Sequence, residues 1–544
     1  MKTRQLIQNS GITFLVICLI IALSGCDKNF LTENPKDRVS SGIFWKTEKD
    51  ATGALMGVYR GNKWNGWWNS FNGWNIVGVL FSADWTDVGS NKESGSGYPA
   101  GGIISTSTQV SDMWSYNYMI ISRANNFLEN IGNVNMDETR RSEMIAEVRF
   151  LRAYSYFWLS QLYGNVPLIT KVLTFEEANS VTQSPQDSVV DFAINELTEA
   201  ADDLPVQRPP EENGRIEKGA ALALKGRLLM ASHKWSEAAE TYKKIIDLNR
   251  YSIDSRFKEL FEESGDNSNE IIFARKYTQG SEFGEPITQQ DAPPGWYGGY
   301  TQLTFYQSFV DMFLMTDGKP IDQSTLYDPK HPFDNRDPRL YATVLLPDYS
   351  VVNGRIYRGS PDSTTQTGPG VTGYGFNKFW DHNYAGNKNE YGGDYPLIRY
   401  AEVLLSYLES EVESGNPISQ SLLDETINKV RGRASVAMPP VSETNPDKLM
   451  EIIMRERAVE FACEGGIRYW DLVRWKKASE ALNRDFYGMK ITDDPANYTG
   501  KYKIDDEGHI FIRSKKTFHD YNYLWPIPQS DLDVNHNLKQ NSGY

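Results

Sequence analysis

Residues 218–248 read KGAALALKGRLLMASHKWSEAAETYKKIIDL, and they carry the clearest structural signal in the chain. Apolar residues recur at helical spacing on both sides of a short polar break at residues 233–234, which predicts two consecutive helices. Small and large residues alternate across the two helices at offsets 0, 3, 12 and 16: Gly226, Leu229, Ala238 and Tyr242. A small residue opposite a large one lets two antiparallel helices approach closely. The segment therefore predicts an interlocked helical pair.

Further helices are predicted in both directions along the chain. Apolar residues at helical spacing indicate helices over residues 47–59, 111–131, 137–163, 185–204, 397–413 and 448–475. The spacing within residues 218–248 resembles a tetratricopeptide (TPR) unit, although no tandem period of about 34 residues is present. We therefore expect a mainly α fold with a TPR-like scaffold of helical pairs.

One long stretch interrupts the predicted helices. Residues 265–395 are rich in Gly, Pro, Asn and aromatic residues. A loop-rich stretch of this length inside a globular protein is usually functional. We expect an N-terminal helical part over residues 47–264, a loop-rich ligand-binding excursion over residues 265–395, and a C-terminal helical part over residues 396–544.

The N-terminus has the features of a lipoprotein signal peptide. Lys2 and Arg4 precede a twelve-residue run, residues 12–23, in which only Thr13 is polar. This run is too short to span a bilayer, which takes roughly 20 apolar residues. Residues 23–26 (LSGC) resemble the bacterial lipobox, in which cleavage precedes an acylated cysteine. We expect residues 1–25 to be removed, Cys26 to be lipidated, and residues 26–46 to form a polar tether.

The cysteine count supports lipidation of Cys26, and the charge balance bears on which partners the protein could bind. The chain has only three cysteines, at positions 18, 26 and 463, so removal of the signal leaves no disulfide framework to explain Cys26. Lys plus Arg is 56 and Asp plus Glu is 71, which gives a net charge of −15. Nucleic-acid binding requires a basic surface. The composition therefore argues against a nucleic-acid partner.

Tryptophan is concentrated near the N-terminus. Six of the fourteen tryptophans fall within 41 residues: Trp45, Trp64, Trp67, Trp68, Trp74 and Trp85. Residues 62–74 interleave these rings with Asn and Gly, which suits a loop. Sugar C–H groups stack on aromatic faces, while Asn and Asp side chains hydrogen-bond the hydroxyls. Asp84 and Asp87 flank Trp85 and are candidates for that polar role.

Two more aromatic groups lie within residues 265–395. One contains Trp296, Tyr297 and Tyr300, and the other contains Trp380, Tyr384 and Tyr391. The predicted ligand-binding residues are Trp67, Trp68, Trp74, Asp84, Trp85, Trp296, Tyr297, Tyr300, Trp380 and Tyr384. The alternative for each single tryptophan is burial in the core, since tryptophan is highly buried on average.

One pair of carboxylates is the candidate for catalysis. Glu456 and Glu460 fall inside the apolar arc of the helix predicted within residues 448–475. They could serve as a glycosidase pair, or they could be buried partners of arginines such as Arg431, Arg468 or Arg474. We favour the structural role, because residues four apart on a helix face a packed neighbour and leave no cleft. No cofactor or metal motif is present.

Several segments resemble the SusD/RagB family. They are residues 151–154 (LRAY), 162–168 (LYGNVPL), 374–379 (YGFNKF), 395–405 (YPLIRYAEVLL), 455–472 (RERAVEFACEGGIRYWDL) and 524–528 (LWPIP). Together with the lipobox, these segments have an order and spacing similar to those of the family. The resemblance extends over nearly the whole mature chain. The resemblance implies a SusD-like α/α superhelix in a lipid-anchored protein on the surface of the outer membrane.

The resemblance also implies a role in nutrient uptake. Members of the family bind oligosaccharides, or peptides in the RagB branch, and lie over a SusC-like TonB-dependent transporter. The shared motifs mark the scaffold, so they do not specify the ligand. The leading hypothesis is a non-catalytic glycan-binding lipoprotein that delivers oligosaccharide to the transporter. The alternatives are a peptide-binding version of the same system and a surface glycoside hydrolase.

Overall fold

The computed structural model describes residues 44–60, 85–91, 102–280, 303–357, 372–387, 390–491 and 502–544. The signal peptide predicted for residues 1–25, the lipidation site Cys26 and most of the tether lie outside these residues. Within them, no helix is both long enough and apolar enough to cross a membrane.

The described part of the chain is mainly helical. Its α-helices are α1 (Glu48–Arg60), α2 (Thr108–Asn130), α3 (Glu138–Tyr163), α4 (Phe175–Ala178), α5 (Gln186–Asp203), α6 (Lys218–Ala231), α7 (Trp235–Asp247), α8 (Gln307–Val310), α9 (Pro338–Thr343), α10 (Tyr400–Glu413), α11 (Gln420–Glu425), α12 (Ile427–Arg431), α13 (Pro446–Glu460), α14 (Ile467–Arg474), α15 (Ala478–Leu482) and α16 (Gln529–Val534). Each predicted helical segment contains one or more of these helices, which confirms the expected fold class.

The ends of α3 show how local sequence sets a helix boundary. The side chain of Asp137 accepts a hydrogen bond from the backbone N–H of Arg140, which caps the first turn. Gly164 ends the helix with φ at 71°, a value that glycine adopts without strain. The prediction of a helix over residues 137–163 is thus confirmed.

Helices α6 and α7 form the predicted interlocked pair. A Cβ atom added to Gly226 would lie 2.4 Å from Cζ of Tyr242, so the glycine is needed for the tyrosine ring to reach the α6 backbone. The stack continues on both sides, because α3 packs on α5, α5 on α6, and α7 on α10. The two helical parts therefore form one continuous layer of paired helices, although residues 265–395 separate them in sequence.

The described part of the chain also contains ten short strands. They are β1 (Gly89–Asn91), β2 (Ile271–Arg275), β3 (Leu303–Phe305), β4 (Val344–Leu345), β5 (Val351–Val352), β6 (Arg355–Ile356), β7 (Gly375–Phe376), β8 (Tyr395–Arg399), β9 (Phe486–Lys490) and β10 (His509–Arg513). Seven of them, β2 to β8, lie within or at the end of the stretch predicted to be loop-rich. Strands β2 and β8 pair antiparallel, with Arg275 opposite Tyr395. The long excursion therefore leaves and rejoins the helical layer at neighbouring strands.

The C-terminal segment packs against helices from the N-terminal part. The backbone N–H of Trp525 donates to the carbonyl of Leu162 (2.6 Å), and the side-chain amide of Asn541 donates to the carbonyl of Tyr163 (2.9 Å). The Trp525 ring is fully buried. These contacts close the helical layer around one core.

Candidate functional site

A four-stranded antiparallel sheet joins the segments next to the predicted aromatic groups. Its strand order is β1-β3-β7-β4. Thr304 in β3 lies opposite Gly375 in β7. Antiparallel pairing then places Leu303, at the start of β3, at the same end of the sheet as Phe376, at the end of β7. The chain arriving from residues 281–302 and the chain leading on to Trp380 therefore meet at one end of the sheet.

Strand β1 connects the tryptophan-rich N-terminal stretch to the same sheet. Gly89 lies opposite Phe305, and Asn91 lies opposite Leu303. Residues 85–88 enter β1 at the end that carries Gly89, and two strand steps of about 3.4 Å separate that end from Asn91. The tryptophan-rich stretch and residues 281–302 therefore join the sheet within about 7 Å of each other along the strand direction.

Gly280, the last residue described before position 281, lies beside the loop that contains Tyr384 (residues 381–387, the Tyr384 loop). The backbone N–H of Gly280 donates to the carbonyl of Glu390 (3.2 Å). The side-chain amide of Gln279 lies 3.5 Å from the Tyr384 hydroxyl, at the limit of a hydrogen bond. The described residues on either side of positions 281–302 therefore lie near the two ends of residues 376–390: Leu303 near Phe376, and Gly280 next to Glu390.

The ten predicted ligand-binding residues divide into two groups. Seven lie outside the described residues: Trp67, Trp68, Trp74, Asp84, Trp296, Tyr297 and Tyr300. The structure places the other three, which are Trp85, Trp380 and Tyr384.

Trp380 is a core residue. Its side chain is 2% exposed and belongs to a small apolar cluster with Leu345, Val352 and Tyr357. His382 packs edge-on against it at 4.4 Å between ring centroids. The prediction that Trp380 offers its ring to a ligand is therefore wrong, because strands β4 and β5 cover the ring.

Trp85 is also buried. It is 3% exposed and makes an edge-to-face contact with Trp525 at 5.0 Å between centroids. Tyr469 lies against it at 6.5 Å. The prediction of an exposed ligand-binding ring at Trp85 is wrong, because the C-terminal segment covers this ring.

Asp87 has a structural role. Its carboxylate accepts two hydrogen bonds from the Arg468 guanidinium, at 2.9 and 2.8 Å. Burial raises the pKa of Asp87, but the charge and hydrogen bonds of Arg468, together with the charge of Arg484, outweigh burial and leave the pKa lowered. The ion pair fixes residues 85–91 to α14, so this aspartate is not available to sugar hydroxyls.

Tyr384 is the one predicted contact residue that the structure places near the surface. Its side chain is half-buried, and its hydroxyl donates to the carbonyl of Asn387 (3.1 Å). The ring packs edge-on against Tyr391 at 5.0 Å between centroids. Tyr391 is itself buried, and its hydroxyl accepts from the backbone N–H of Glu263 (2.8 Å). Tyr391 thus supports Tyr384 from below.

Two partly buried ionisable groups lie beside this loop. Burial, with a further contribution from Asp394, raises the pKa of Asp266 to about 7. The Asp266 carboxylate accepts a hydrogen bond from the backbone N–H of Asp394 (2.9 Å). Burial and the charge of Lys258 lower the pKa of His382 to about 3, so this histidine is neutral at physiological pH. Sequence reasoning missed both groups, because their pKa values depend on neighbours more than 100 positions away.

Glu456 and Glu460 are buried and paired with arginines. Glu456 accepts hydrogen bonds from Arg339 (2.5 Å) and Arg431 (2.6 Å). Glu460 accepts from Arg339 (2.9 Å) and Arg433 (2.7 Å). Burial alone would raise the pKa of Glu460. The combined effect of Arg433, Arg399 and Arg339 is larger and lowers this pKa to about 2. A glycosidase acid needs a raised pKa and a cleft that both carboxylates face. The pKa values of this pair are lowered instead, and although Glu456 lines a small cavity of about 260 Å³, Glu460 does not.

The two carboxylates belong to a larger balanced network. Five cationic and five anionic side chains are joined by ion pairs: Arg339, Arg399, Arg431, Arg433, Lys378, Asp337, Glu270, Glu456, Glu460 and Glu464. The predicted partner Arg431 is confirmed. The predicted partners Arg468 and Arg474 are wrong, since Arg468 pairs with Asp87 and Arg474 pairs with Glu409 and Asp471.

The chain is similar to proteins of one family over most of its length. Residues 269–544, slightly over half of the chain, match the model described as the SusD family. Residues 57–230 match a model described as starch-binding and associating with the outer membrane.

Individual relatives extend this similarity. The crystal structure of a SusD-like carbohydrate-binding protein from Bacteroides fragilis is 34% identical, with a TM-score of 0.84, and covers 91% of this chain and 100% of that protein. A laminarin-binding SusD-like protein is 25% identical, with a TM-score of 0.67 and coverage of 92% and 100%. The starch-binding protein SusD of Bacteroides thetaiotaomicron is 26% identical, over 78% of this chain and 76% of its own.

These similarities agree with the helical layer and with the motifs that carry the resemblance. The LWPIP segment contains the buried Trp525, and residues 455–472 contain Glu456, Glu460 and Arg468. These two motifs therefore lie in the scaffold of the described chain. The chain belongs to the SusD family.

Proposed function

We propose that this protein is a surface glycan-binding lipoprotein that captures oligosaccharide and delivers it to a SusC-like TonB-dependent transporter in the outer membrane. The observation that carries the proposal concerns the four-stranded sheet. Three aromatic-rich stretches, residues 62–85, 296–300 and 380–391, lead into or out of its strands along the chain. The carbohydrate-binding relative from Bacteroides fragilis and the starch-binding SusD support a glycan as ligand. The match to a family described as associating with the outer membrane supports the location.

In this proposal, exposed rings stack on the faces of sugar units. Aromatic faces attract the slightly positive C–H groups of a pyranose ring, and neighbouring amides and carboxylates hydrogen-bond its hydroxyls. The rings and the carboxylate proposed for this role are those of Trp67, Trp68, Trp74, Asp84, Trp296, Tyr297, Tyr300 and Tyr384. Trp85 and Trp380 are not included, because both are buried. Trp380 packs against Leu345 of the sheet, and Trp85 packs against the C-terminal segment.

The role is proposed to be non-catalytic. The best candidate pair for hydrolysis, Glu456 and Glu460, is fully engaged by arginines. A peptide ligand is the second candidate, since aromatic grooves also bind peptides. The Bacteroides fragilis and Bacteroides thetaiotaomicron relatives favour the glycan.

Binding and stability should respond differently to tryptophan substitutions. We expect Trp68→Ala and Trp296→Ala to weaken oligosaccharide binding by about 1–3 kcal/mol each, by analogy with aromatic stacking on bases, and to leave the melting temperature nearly unchanged. Trp380→Ala should instead cost about 3–5 kcal/mol of stability, because it leaves a cavity. Isothermal titration calorimetry with starch and laminarin oligosaccharides, together with thermal melts, measures both quantities.

The control for this experiment is Phe175→Ala. Phe175 is 80% exposed on α4, so its loss tests the effect of removing an exposed aromatic ring from an unrelated place. Product analysis after incubation distinguishes binding from hydrolysis, because an enzyme would consume the oligosaccharide. The proposal fails if peptides bind and glycans do not, or if both tryptophan variants bind glycan as well as the parent.

The lipid anchor is tested at Cys26. The described chain begins at residue 44, and Trp45 packs edge-on against Phe127 in α2 at 5.6 Å between centroids, so the tether would join the fold there. We expect mass spectrometry of protein from its native membrane to show a mature chain that starts at an acylated Cys26. Cys26→Ala should release the protein from the membrane fraction, while Cys463→Ala, a substitution at a buried cysteine, should not. An unmodified Cys26 or a different mature start would contradict this prediction.

A further inference from the structure

A cavity of about 640 Å³ lies within the helical layer. Residues from α3, α5, α6, α7, α10, α13, α14 and the C-terminal segment line it. None of the described lining residues belongs to the four-stranded sheet or to the Tyr384 loop. Its volume falls within the range of sites that enclose small ligands, about 300–1,000 Å³. The cavity is therefore separate from the surface proposed above.

Two buried ion pairs line the inner part of the cavity. Arg227 donates two hydrogen bonds to Glu402, both at 2.6 Å. Arg457 donates two to Asp471, both at 2.8 Å. Within these two pairs each charge is neutralised by its partner, and Arg474, a further cation of the lining, is paired with Glu409 and Asp471. A charged ligand would therefore gain little net attraction from this inner part of the cavity. The carboxylate oxygens keep unused lone pairs, and these can accept hydrogen bonds from hydroxyl groups.

Tyr242 provides a hydroxyl without a partner. Its side chain is 1% exposed and lines the cavity, and its hydroxyl makes no hydrogen bond with any described residue. Ser406 lies beside it, but the Ser406 oxygen accepts from Arg457 (2.9 Å), and no hydrogen bond of normal geometry joins the two hydroxyls. Leaving a buried hydroxyl without a hydrogen bond is unfavourable. A polar group inside the cavity would remove that cost.

Aromatic rings form one wall of the cavity. Trp470 is half-buried, and it packs edge-on against Trp158 and Phe157 at 5.0 and 5.2 Å between centroids. Tyr523 is half-buried and Tyr521 is 39% exposed, and both also line the cavity. Aromatic walls next to neutralised polar groups suit a compact ligand with apolar faces and hydroxyl edges.

We propose that this cavity is a second binding site, for a neutral saccharide of one or two hexose rings. Hydroxyls of the sugar would pair with Tyr242 and with the free lone pairs of Glu402 and Asp471, and a ring face would contact Trp470. The site goes beyond the proposed capture of oligosaccharide and does not depend on the aromatic stretches near the sheet.

Three variants test this site with glucose, galactose, mannose and maltose as probes. Tyr242→Phe removes only the hydroxyl and keeps the ring that packs against Gly226, so we expect about tenfold weaker binding. Ala231→Trp should abolish binding, because Ala231 lines the cavity and the new ring would fill it. Ser236→Trp is the matched control, since Ser236 is exposed on α7 and is not among the lining residues, and it should bind as the parent does.

Saturation-transfer NMR and calorimetry report binding of each sugar, and thermal melts report folding. Each measurement is repeated in a Trp296→Ala background, which removes a ring from the surface near the sheet, so that the remaining binding reports on the cavity. The proposal is overturned if the parent binds none of the four sugars, or if Tyr242→Phe binds them as tightly as the parent. It is also overturned if Trp296→Ala abolishes their binding, because the site would then be the surface near the sheet. Should Ala231→Trp fail to fold, Tyr242→Phe decides the question alone.

Discussion

Replacing Glu460 with alanine is expected to lower the free energy of unfolding by about 3–5 kcal/mol. Glu460 is fully buried and forms ion pairs with Arg339, Arg399 and Arg433. Its removal leaves three buried guanidiniums with one carboxylate fewer to balance them. Chemical denaturation of the purified protein measures the loss.

The matched control is Glu480→Ala. Glu480 pairs with Lys477 at the surface, where both side chains are at least half exposed, so its loss should cost less than about 1 kcal/mol. If Glu460→Ala were as mild as Glu480→Ala, the buried network would not contribute to stability as described. If a stable Glu460 variant lost a measurable glycosidase activity, the structural role would be wrong.

The lowered pKa of Glu460 also predicts how the stability of the protein changes in acid. The pKa of Glu460 is about 2 in the folded protein and near 4.5 for an unperturbed glutamate, so the folded state binds its proton less tightly. Its stabilising contribution is therefore complete above pH 4.5 and is lost as the pH falls towards 2. Glu460→Ala should show a smaller loss of stability than the parent over this range.

Replacing Trp525 with alanine is the second substitution with a large expected effect, about 3–5 kcal/mol. The Trp525 ring is 0% exposed, packs edge-on against Trp85 and Tyr163, and donates its indole N–H to the Tyr469 hydroxyl (3.2 Å). Alanine would leave a cavity and would remove the hydrogen bond. Thermal and denaturant unfolding measure the change.

Trp525→Phe separates the two contributions. Phenylalanine fills most of the space but cannot donate to Tyr469, so we expect an intermediate loss of stability. Because Trp525 covers Trp85, its removal should also loosen residues 85–91 and weaken glycan binding indirectly. A Trp525→Ala variant with the stability of the parent would show that this ring does not close the core.

The fold was predictable where neighbouring residues determine it. Gly226 and Tyr242 are 16 positions apart, and their sizes alone indicated that α6 and α7 interlock. Asp137 and Gly164 marked both ends of α3, because a cap acts within one turn of the helix. Such short-range signals were enough for the helical layer.

The candidate site was less predictable, because burial depends on distant partners. Trp380 lies in a Gly- and Asn-rich stretch that resembles a surface loop, yet Leu345 and Tyr357 cover its ring. Trp85 is covered by Trp525, 440 positions later in the chain. The sequence alone does not indicate which of these residues are in contact in the folded protein.

The partners in the buried ion network were also only partly predictable from the sequence. The helical pattern indicated that Glu456 and Glu460 are buried, and a buried carboxylate implies a cationic partner. It did not identify Arg339, which lies 117 positions from Glu456 and just after Pro338. Only Arg431 was named correctly. The type of partner can be inferred from the physics of burial, whereas its identity requires the tertiary structure.

The closure of the core by the C-terminal segment has a consequence for folding kinetics. The hydrogen bond from Asn541 to Tyr163 spans 378 positions, and the N–H of Trp525 reaches back to Leu162 in the same helix. Contacts with such long sequence separation slow folding, because a large chain entropy is lost before they form. Helix α3 cannot complete its packing until residues 525–541 have been synthesised. Late closure of this kind would suit the export that we propose, because a chain must be unfolded to pass through a secretion channel.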